Sequence, residues 1–417
     1  MRIGILSQWF DPEPGPASLP GALARALRDR GHEVQVVTGF PNYPTGQLAD
    51  GYRLALRADE LMDGVRVRRT ALYPSHDASV IGRIVNWASF AASSTLFGIR
   101  AFRSMDVVWI SNSPITMALP ALAVARVLRK PTVLHVLDLW PDNVLSSGLV
   151  GRNALTRVVV HVLALLAKSM YRTATIVAAI SPGAGRLLEA RGVDPAKLEV
   201  IPLWAEEGRF YPGDGEATRT AMGVPPDRVV VLYAGALGGT QEIETLIHAC
   251  ASRADDSEPI EVWVAGSGVR EASIEALMQE SHVPTVRFRF LGRVPMEEMA
   301  AVMHAADLHF IGLRDDALSR VTMPSKLQAT MASARPVVIA VRGDTEDVVL
   351  ESKVGFAAAP GQAASIAVAI DRGVALGRPG LAAMGLRARA AYEERFSLAR
   401  GAAAIEASLR RAEHSRG

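Results

Sequence analysis

The strongest constraint on the fold is an alternation of short β-branched segments with helical stretches. This pattern occurs twice along the chain. Strands alternating with helices at this spacing are typical of right-handed βαβ units and a doubly wound parallel sheet. Two such series predict two α/β domains of similar build. The predicted strands are Arg2–Leu6, Glu33–Thr38, Val65–Arg69, Val107–Ser111, Thr132–Val136, Ile176–Ile180 and Glu199–Ile201 in the first series, and Val229–Ala234, Glu261–Ala265, Arg287–Leu291, Leu308–Ile311, Pro336–Ala340 and Gly355–Ala358 in the second.

The alternation of strands and helices is interrupted between Pro202 and Asp227, where Pro, Gly and acidic residues are frequent. We therefore predict an N-terminal domain over residues 1–203 and a C-terminal domain over residues 204–395. The stretch Leu381–Ala412 is predicted to be a helix rich in Ala and Arg that is interrupted near Phe396 and Ser397 and is too polar for a core of its own. We therefore expect residues 396–417 to form a helix that crosses back to the N-terminal domain. Helices of the first domain are predicted at Leu19–Arg30, Ile84–Phe102, Ile115–Leu128, Leu155–Tyr171 and Pro182–Arg191.

The charge of the chain argues against a general nucleic-acid binder. The sequence has 45 Lys and Arg against 43 Asp and Glu, and a formal charge of +2 is too small to neutralise many phosphates. The first 205 residues carry 22 basic and 15 acidic side chains, whereas residues 206–417 carry 23 and 28. We therefore expect the first half to favour an anionic partner. A hydrophobic content of 49% in 417 residues excludes a disordered chain.

Cysteine content and the first residues indicate a reducing compartment. Cys250 is the single cysteine, so an internal disulfide framework and a cysteine-based metal cluster are both excluded. The chain runs from Met1 directly into a predicted strand without the apolar region of a signal peptide. The longest uncharged run, Val107–Ala125, is interrupted by Ser111–Pro114, so it predicts a strand, a turn and a helix and not a membrane span. We expect a cytoplasmic protein.

Ligands of doubly wound sheets bind beyond the carboxyl ends of the strands, so the segments that follow strands are the candidate sites. After the first strand, residues 8–17 form a Pro-rich loop that includes Gly15. It lacks Gly-x-Gly-x-x-Gly, which disfavours an ordinary dinucleotide site. The loop is either an anion-accepting turn or a connection without a ligand.

Asp138 and His135 lie at the end of the strand Thr132–Val136, beside Trp140. A carboxylate at this position can accept hydrogen bonds from a sugar hydroxyl or stabilise developing positive charge, and His135 could orient the same groups. The alternative is that Asp138 caps a helix and His135 is a satisfied core residue.

Two segments of the second series are suited to a phosphate. Gly235, Gly238 and Gly239 follow the strand Val229–Ala234, and glycines let backbone N–H groups approach an anion; the alternative is a plain tight turn. Lys326 lies where a loop becomes a helix and is one of five lysines against 40 arginines. Its ammonium group is a suitable partner for a diphosphate, and the alternative is a solvated lysine.

In this order, several segments resemble the family 4 glycosyltransferases with the GT-B architecture, in particular the branch that builds bacterial surface polysaccharides. The resemblance covers essentially the whole chain, and no single segment carries it alone. The matching segments are Trp9–Glu13, Thr38–Gly46 with Asn42, Asp138–Pro141, Ile201–Pro202 with Trp204, Tyr233–Gly235, Val264–Gly268 and Pro324–Lys326.

The resemblance implies two Rossmann-like domains that face a central cleft, with a C-terminal helix packing back on them. It also implies retaining transfer of a sugar from a UDP- or GDP-sugar on the C-terminal domain to a saccharide on the N-terminal domain. The sequence has no Asp-x-Asp at a strand end and no His and Asp cluster at ligand spacing, so we predict that the transfer needs no metal, and we expect no cofactor. By the same likeness Asp138, His135 and Lys326 are catalytic. The implied donor-binding residues are Gly238, Gly239, Arg293, Val294, Pro324 and Ser325, and the predicted acceptor-binding residues are Gly15, Asn42 and Trp140. Where the chain departs from the family, Arg314 is predicted to help hold the diphosphate, and Gln328 or Asp344 to replace the usual partner of the donor ribose.

The chain departs from the family pattern at the donor ribose. Many members carry two glutamates eight residues apart, and here those positions are Val321 and Ala329. Gln241 and Glu242 stand where many relatives have Arg and Lys after the glycine loop, and Leu203 replaces the usual Asn of the linker. A sugar-nucleotide epimerase and a catalytically silent sugar-nucleotide-binding subunit therefore remain as alternatives.

Two helical stretches of the first half are free of acidic residues. No acid occurs between Asp77 and Asp106, where Ile84–Ile99 includes Trp87, Phe90 and Phe97, and none occurs between Asp142 and Glu189 around Leu155–Tyr171. Apolar helices bracketed by arginine can lie in a membrane interface. The alternative is that both pack on the sheet while their arginines extend into water. Peripheral contact with an anionic membrane would make a lipid-linked saccharide the natural acceptor, at the inner face of the plasma membrane.

Overall fold

The structure is a computed structural model that describes residues 1–75, 80–143, 154–254 and 257–415. The chain divides into two units, which are described separately. Unit 1 comprises the residues up to Pro202 together with those from Leu398 onward, and unit 2 comprises Leu203–Ser397. Asp77, which bounds one of the acid-free stretches, lies outside the described residues.

Unit 1 is built on an eight-stranded sheet in which the strand order is β3-β4-β2-β1-β5-β6-β7-β8. All neighbours pair in parallel except β3 and β4, and the central strands β5, β6 and β7 are buried throughout. This confirms the predicted parallel α/β domain. The strands are β1 (Arg2–Leu6), β2 (Glu33–Gly39), β3 (Arg57–Met62), β4 (Val65–Thr70), β5 (Val107–Ser111), β6 (Thr132–Val136), β7 (Ile176–Ala179) and β8 (Leu198–Val200).

The sequence did not predict β3. This strand forms the edge of the sheet, pairs antiparallel with β4 and has no fully buried residue. Its Asp59 and Glu60 accept hydrogen bonds from Arg68 and Arg69 across the pair. Charged cross-strand pairs stabilise such an edge without the apolar run by which a strand is recognised in a sequence.

The helices of unit 1 are α1 (Leu19–Asp29), α2 (Val80–Ser93), α3 (Ala118–Leu122), α4 (Ala154–Thr173), α5 (Pro182–Ala190) and, at the end of the chain, α14 (Leu398–His414). The predicted helix Ile84–Phe102 is interrupted, because the chain widens into a π-helical turn at Ser94–Gly98 and tightens into a 3-10 turn at Ile99–Ser104. The hydroxyls of Ser94 and Thr95 both donate to the carbonyl of Ala91. Side chains that compete for backbone carbonyls in this way disturb a regular helix.

Unit 2 contains a six-stranded parallel sheet with the order β11-β10-β9-β12-β13-β14. Its interior is aliphatic, and Trp263 and Tyr233 are fully buried within it. The strands are β9 (Val229–Ala234), β10 (Ile260–Ala265), β11 (Val286–Gly292), β12 (Leu308–Gly312), β13 (Val337–Ala340) and β14 (Gly355–Ala357). The helices are α6 (Glu216–Ala221), α7 (Ile243–Ala251), α8 (Glu271–Glu280), α9 (Met299–Ala305), α10 (Ser325–Ala332), α11 (Asp344–Glu351), α12 (Ala363–Val374) and α13 (Gly377–Arg395).

Helix α14 is bound to unit 1 by charged contacts. Glu406 forms an ion pair with Arg30 at 2.5 Å, and its carboxylate lies 3.0 Å from the Nε2 of His32; these contacts connect α14 to the end of α1. Glu199, at β8, pairs with Arg411 at 2.6 Å. The last helix therefore packs on the same unit as the first strand. Within the described ranges, no helix has the length and hydropathy needed to cross a bilayer.

Candidate active site

In unit 2, the loops that follow β9 and β10 pack backbone against backbone. Gly235 has φ +147° and Gly266 has φ +150°, values that side-chain-bearing residues rarely adopt. A Cβ atom on Gly266 would overlap the carbonyl oxygen of Gly235, and one on Gly268 would overlap that of Leu237. The glycines therefore permit a close backbone approach at the carboxyl edge of the sheet, where ligands of such sheets bind.

Lys326 reaches this edge from the first turn of α10. Its Nζ donates a hydrogen bond of 2.7 Å to the hydroxyl of Tyr233 and lies 4.3 Å from the centroid of the tyrosine ring. A Cβ on Gly235 would overlap the Cε of Lys326, so the lysine passes directly over the glycine loop. Burial lowers the pKa of Lys326 to about 8. An ammonium group held this way is available to an anion at the loop.

Arg314 and the glycine loop are joined by two hydrogen bonds. Its Nη2 donates to the carbonyl oxygen of Gly239 at 2.6 Å, and its backbone N–H donates to that of Thr240 at 2.8 Å. A Cβ on Gly238 would lie 2.7 Å from the Oε1 of Gln241. The structure thus brings together Gly238, Gly239 and Arg314 with Lys326 on one edge of unit 2.

Glu242, at a position where the family resemblance predicts a basic residue, makes local contacts within unit 2. It adopts φ +55° at the start of α7, and its Oε2 accepts hydrogen bonds from the hydroxyl of Thr245 and from the N–H of Gly361. The positive charge at this edge therefore comes from Lys326 and Arg314 and not from the start of α7.

The remaining predicted donor residues divide by exposure. Arg293 and Ser325 are exposed, and Val294 and Pro324 are half-buried. Gln328 and Asp344 are buried, with 2% and 4% of their surface exposed, and the backbone N–H of Asp344 donates to the carbonyl of Arg320. The structure therefore does not present these two side chains at the surface as ribose partners. Ala329 packs in the core.

In unit 1, Asp138 lies in a polar cluster that Asn112 organises. The Oδ1 of Asn112 accepts the backbone N–H groups of Leu137 and Asp138, and its Nδ2 donates to the carbonyl of Asp138 at 2.7 Å. The Asp138 carboxylate accepts hydrogen bonds from the hydroxyl of Ser113 and from the Nδ2 of Asn143. Burial raises the pKa of Asp138, and these two hydrogen bonds oppose the shift. The result is a fixed carboxylate just beyond β6.

His135 lies inside the core and not in the loop with Asp138. Its ring is fully buried, its Nε2 is 2.9 Å from the carbonyl oxygen of Ile201, and it packs edge-on against Trp109. Burial lowers its pKa to about 4, so the imidazole is neutral at physiological pH and its Nε2–H donates to Ile201. A ring with no exposed surface does not reach a substrate, so the structure places His135 in the core. Only its Nε2 has a hydrogen-bond partner there, and its buried Nδ1 has none among the described residues.

The predicted acceptor residue Asn42 belongs to a second polar cluster, centred on Glu13. The Oε1 of Glu13 accepts the backbone N–H groups of Asn42 and Tyr43, and its Oε2 accepts that of Phe10. Burial raises the pKa of Glu13 to about 7 despite these hydrogen bonds. The carboxylate thus holds the loops after β1 and β2 together.

The other acceptor predictions fall around this cluster or apart from it. Asn42 accepts a hydrogen bond of 3.1 Å from Asn86, which in turn accepts one of 2.7 Å from Gln8. Gly15 has φ +67° and open space where a Cβ would be. Trp140 is buried, with 7% of its surface exposed.

Comparison with known proteins identifies the family. A family model described as a glycosyl transferase 4-like domain matches residues 15–204, and a model for glycosyl transferases group 1 matches residues 228–375. The chain belongs to the family 4 glycosyltransferases. This glycosyltransferase is 27% identical over 353 residues to WcaI of Escherichia coli (strain K12), whose name assigns it to colanic acid biosynthesis, and the match covers 83% of this chain and 84% of WcaI.

Solved structures establish the fold of this glycosyltransferase. It is similar to sucrose-phosphate synthase from Thermosynechococcus elongatus, with a TM-score of 0.75, 19% identity and 99% of both chains covered. It is also similar to HepE of Anabaena in complex with UDP, with a TM-score of 0.70, 19% identity, and 98% of this chain and 99% of that chain covered. Its two parallel-sheet units are those of the GT-B fold, as the sequence predicts.

Several site residues of this glycosyltransferase were not found from its sequence. Asn112, Ser113 and Asn143 carried no signal, because they act only as hydrogen-bond partners of Asp138 in the folded chain. Tyr233 and Glu13 lie within segments that resemble the family, but no role was predicted for either side chain. Within the described part of the chain, no group of three or more His, Cys, Asp or Glu side chains is placed to hold a metal ion.

Proposed function

We propose that the chain is a retaining glycosyltransferase that moves a sugar from a nucleoside diphosphate sugar to a lipid-linked saccharide in polysaccharide biosynthesis. The observation that carries the proposal is the Lys326 ammonium held over the glycine loop of unit 2 by Tyr233. The same donor class is bound by HepE, whose crystals contain UDP or UDP-glucose. The name of WcaI places that relative in the synthesis of a polysaccharide.

Unit 2 has the groups that a departing diphosphate requires. When the bond between the anomeric carbon and the diphosphate breaks, negative charge develops on the leaving phosphate. Lys326 lies over Gly235 and Arg314 contacts Gly239, so the two side chains supply positive charge at the two ends of the glycine loop. Donors aligned before the reaction stabilise a transition state without reorganising, which is why such groups contribute several kcal/mol in other enzymes. We propose that these cations make a metal ion unnecessary for the transfer.

Unit 1 has the complementary group. The sugar ring gains positive charge as the leaving group departs, and a fixed carboxylate at Asp138 stabilises that charge or orients the sugar hydroxyls. In the retaining step that we propose, the acceptor hydroxyl passes its proton to an oxygen of the departing phosphate. Its oxygen then bonds to the anomeric carbon on the face from which the phosphate leaves. His135 supports β6 and contacts no substrate.

The test is a panel of UDP- and GDP-sugars incubated with membrane extract as the acceptor source, with and without EDTA. The proposal expects nucleotide release from one donor, a product of the same anomeric configuration and no loss with EDTA. Lys326→Met should abolish release, and Lys353→Met, an exposed lysine of the same unit, should not. An inverted product contradicts retention, and loss of activity with EDTA contradicts metal independence.

Two outcomes favour the alternatives. Isomerisation of a sugar nucleotide without any acceptor would identify an epimerase. Tight donor binding with no turnover on any extract would identify a silent binding subunit.

A further inference from the structure

The helices α2, α3 and α4 cover one face of the unit 1 sheet. The connections β4 to β5, β5 to β6 and β6 to β7 all advance in the same direction across the sheet. Right-handed crossovers that advance in one direction place their helices on the same face. Helix α3 packs against both α2 and α4, so the three helices lie side by side.

The outer side of these helices is aliphatic. On α2, Ile81, Ile84 and Val85 are exposed, Ile81 by 74%, and their spacing of three and four residues puts them on one side of the helix. The inner side of the same helix buries Phe90. We name the outer side the aliphatic face; its exposed members are Ile81, Ile84 and Val85 on α2, Leu119 on α3, and Val158, Val162 and Leu165 on α4.

These helices are therefore apolar on both sides. Packing against the sheet explains the inner side. Water contact does not explain the outer side, because a group of exposed aliphatic side chains on adjacent helices is typical of an interaction surface. This finding revises the sequence prediction in one respect: Phe90 lies in the core, so it contributes nothing to a surface.

The part of the sequence that contains the aliphatic face is mainly basic. Between residues 78 and 188 the sequence has eleven Lys and Arg and three acids, Asp106, Asp138 and Asp142. Asp106 pairs with Arg2 and Asp142 with Arg191. On α4 the exposed basic residues are Arg157, Lys168 and Arg172. Helix α4 thus carries exposed cations on the same helix as Val158, Val162 and Leu165, and two of the three acids nearby in sequence are paired with arginines outside these helices.

We propose that the aliphatic face docks into the interfacial layer of an anionic phospholipid membrane. Aliphatic side chains enter the boundary between headgroups and acyl chains, while Arg and Lys at the border meet lipid phosphates. A second copy of the chain fits less well, since a symmetric interface would bring the same cations together on both sides. The docking rests on the proposed function only for the acceptor. If the acceptor is held by a lipid, docking explains how the enzyme reaches it.

The test is flotation of the full-length protein with vesicles of phosphatidylcholine alone or with 30% phosphatidylglycerol (about one lipid in three anionic). Wild type should float with the anionic vesicles, less at high salt, and bind vesicles of pure phosphatidylcholine at least about tenfold more weakly. Ile84→Ser with Val162→Ser should weaken anionic binding about tenfold. The matched control is Val368→Ser with Leu386→Ser, two exposed aliphatic residues of unit 2, which should float like wild type.

Three results would overturn the docking: wild type that stays at the bottom of the gradient in low salt, a face variant that floats like wild type, or a wild-type dimer that the face variant dissociates. Donor-dependent transfer to a water-soluble acceptor is measured in parallel. Transfer without flotation rejects the docking alone, and flotation without transfer rejects the proposed function alone. Both variants replace exposed side chains, and their thermal unfolding confirms that they fold.

Discussion

The ammonium nitrogen of Lys326, in the first turn of α10, lies 2.7 Å from the hydroxyl oxygen of Tyr233, near the end of β9. The tyrosine hydroxyl donates its own proton to the carbonyl of Ala236 at 2.6 Å, so it accepts from the lysine. Tyr233 therefore connects Lys326 to the backbone of the glycine loop. The group proposed to bind the donor phosphates is thus positioned by the hydroxyl of a buried tyrosine.

Tyr233→Phe should weaken donor binding about fivefold, since one hydrogen bond to a charged group is lost while the ring remains. Calorimetric titration with the donor measures the change. Tyr211→Phe, at an exposed tyrosine of unit 2, is the matched control and should bind like wild type. Equal affinities for Tyr233→Phe and wild type would show that the hydroxyl does not position the lysine.

Lys326→Met should weaken donor binding about 100-fold and stabilise the ligand-free protein. Because the folded pKa of Lys326 is about 8 and its ordinary value is 10.5, the unfolded chain binds more protons between these two values. The free energy of unfolding of wild type therefore rises with pH across that window.

Below pH 8 the buried ammonium costs up to about 3 kcal/mol, which the variant recovers. Denaturant unfolding at pH 7 and at pH 10 measures both values. The gain over wild type should be larger at pH 7 than at pH 10, and Lys353→Met should show no such difference.

Asp138→Asn should lower turnover about 1000-fold and leave donor affinity unchanged, because the neutral amide no longer stabilises positive charge on the sugar. Steady-state kinetics and donor titration separate the two quantities. The control is Asp142→Asn, four residues after Asp138 in the chain. This change removes an ion pair with Arg191 and should retain most of the turnover.

Ser113→Ala should move the acid limb of the pH–rate profile upward by about half a unit to one unit. The Ser113 hydroxyl stabilises the ionised form of Asp138, so its loss raises the pKa of that carboxyl further. The variant then loses activity at a higher pH than wild type as the solution is acidified. Thr116→Ala removes a hydroxyl that donates to the Trp87 carbonyl and should leave the limb in place.

The free energy of unfolding of Glu13→Gln should rise relative to that of wild type as the pH increases. Because burial raises the folded pKa of Glu13 from 4.5 to about 7, the folded chain binds more protons in this range, and the wild-type free energy of unfolding falls with pH there. The neutral variant lacks that decline. Its stability relative to wild type should therefore improve by about 2 to 3 kcal/mol between pH 4.5 and pH 8, measured by denaturant unfolding. A constant difference would show that the carboxyl titrates normally.

The parallel sheets were predictable because their strands are buried on both faces and their sequences are continuous apolar runs, as in Val107–Ser111. β3 was not, since an edge strand stabilised by Asp59 and Glu60 has no such run. The end of α2 was also missed, because the carbonyl of Ala91 is captured by hydroxyls that occur commonly within helices.

The site was predictable where a residue type is rare or sterically special. Lys326 is one of five lysines, and Gly235 fills a position that a side chain would block. Partners such as Ser113 and Tyr233 depend on which strand ends become neighbours, and no local pattern encodes that. The burial of His135 and Gln328 could not be predicted for the same reason, since it depends on how the whole chain packs.

The contacts of Glu406 with Arg30 and His32 have a consequence for synthesis on the ribosome. The unit whose translation begins first lacks its last helix until the end of the chain emerges, whereas Leu203–Ser397 is translated without interruption. Unit 2 can therefore mature while unit 1 still waits for α14. A nascent chain stalled after residue 397 would leave Arg30, at the end of α1, without its partner Glu406.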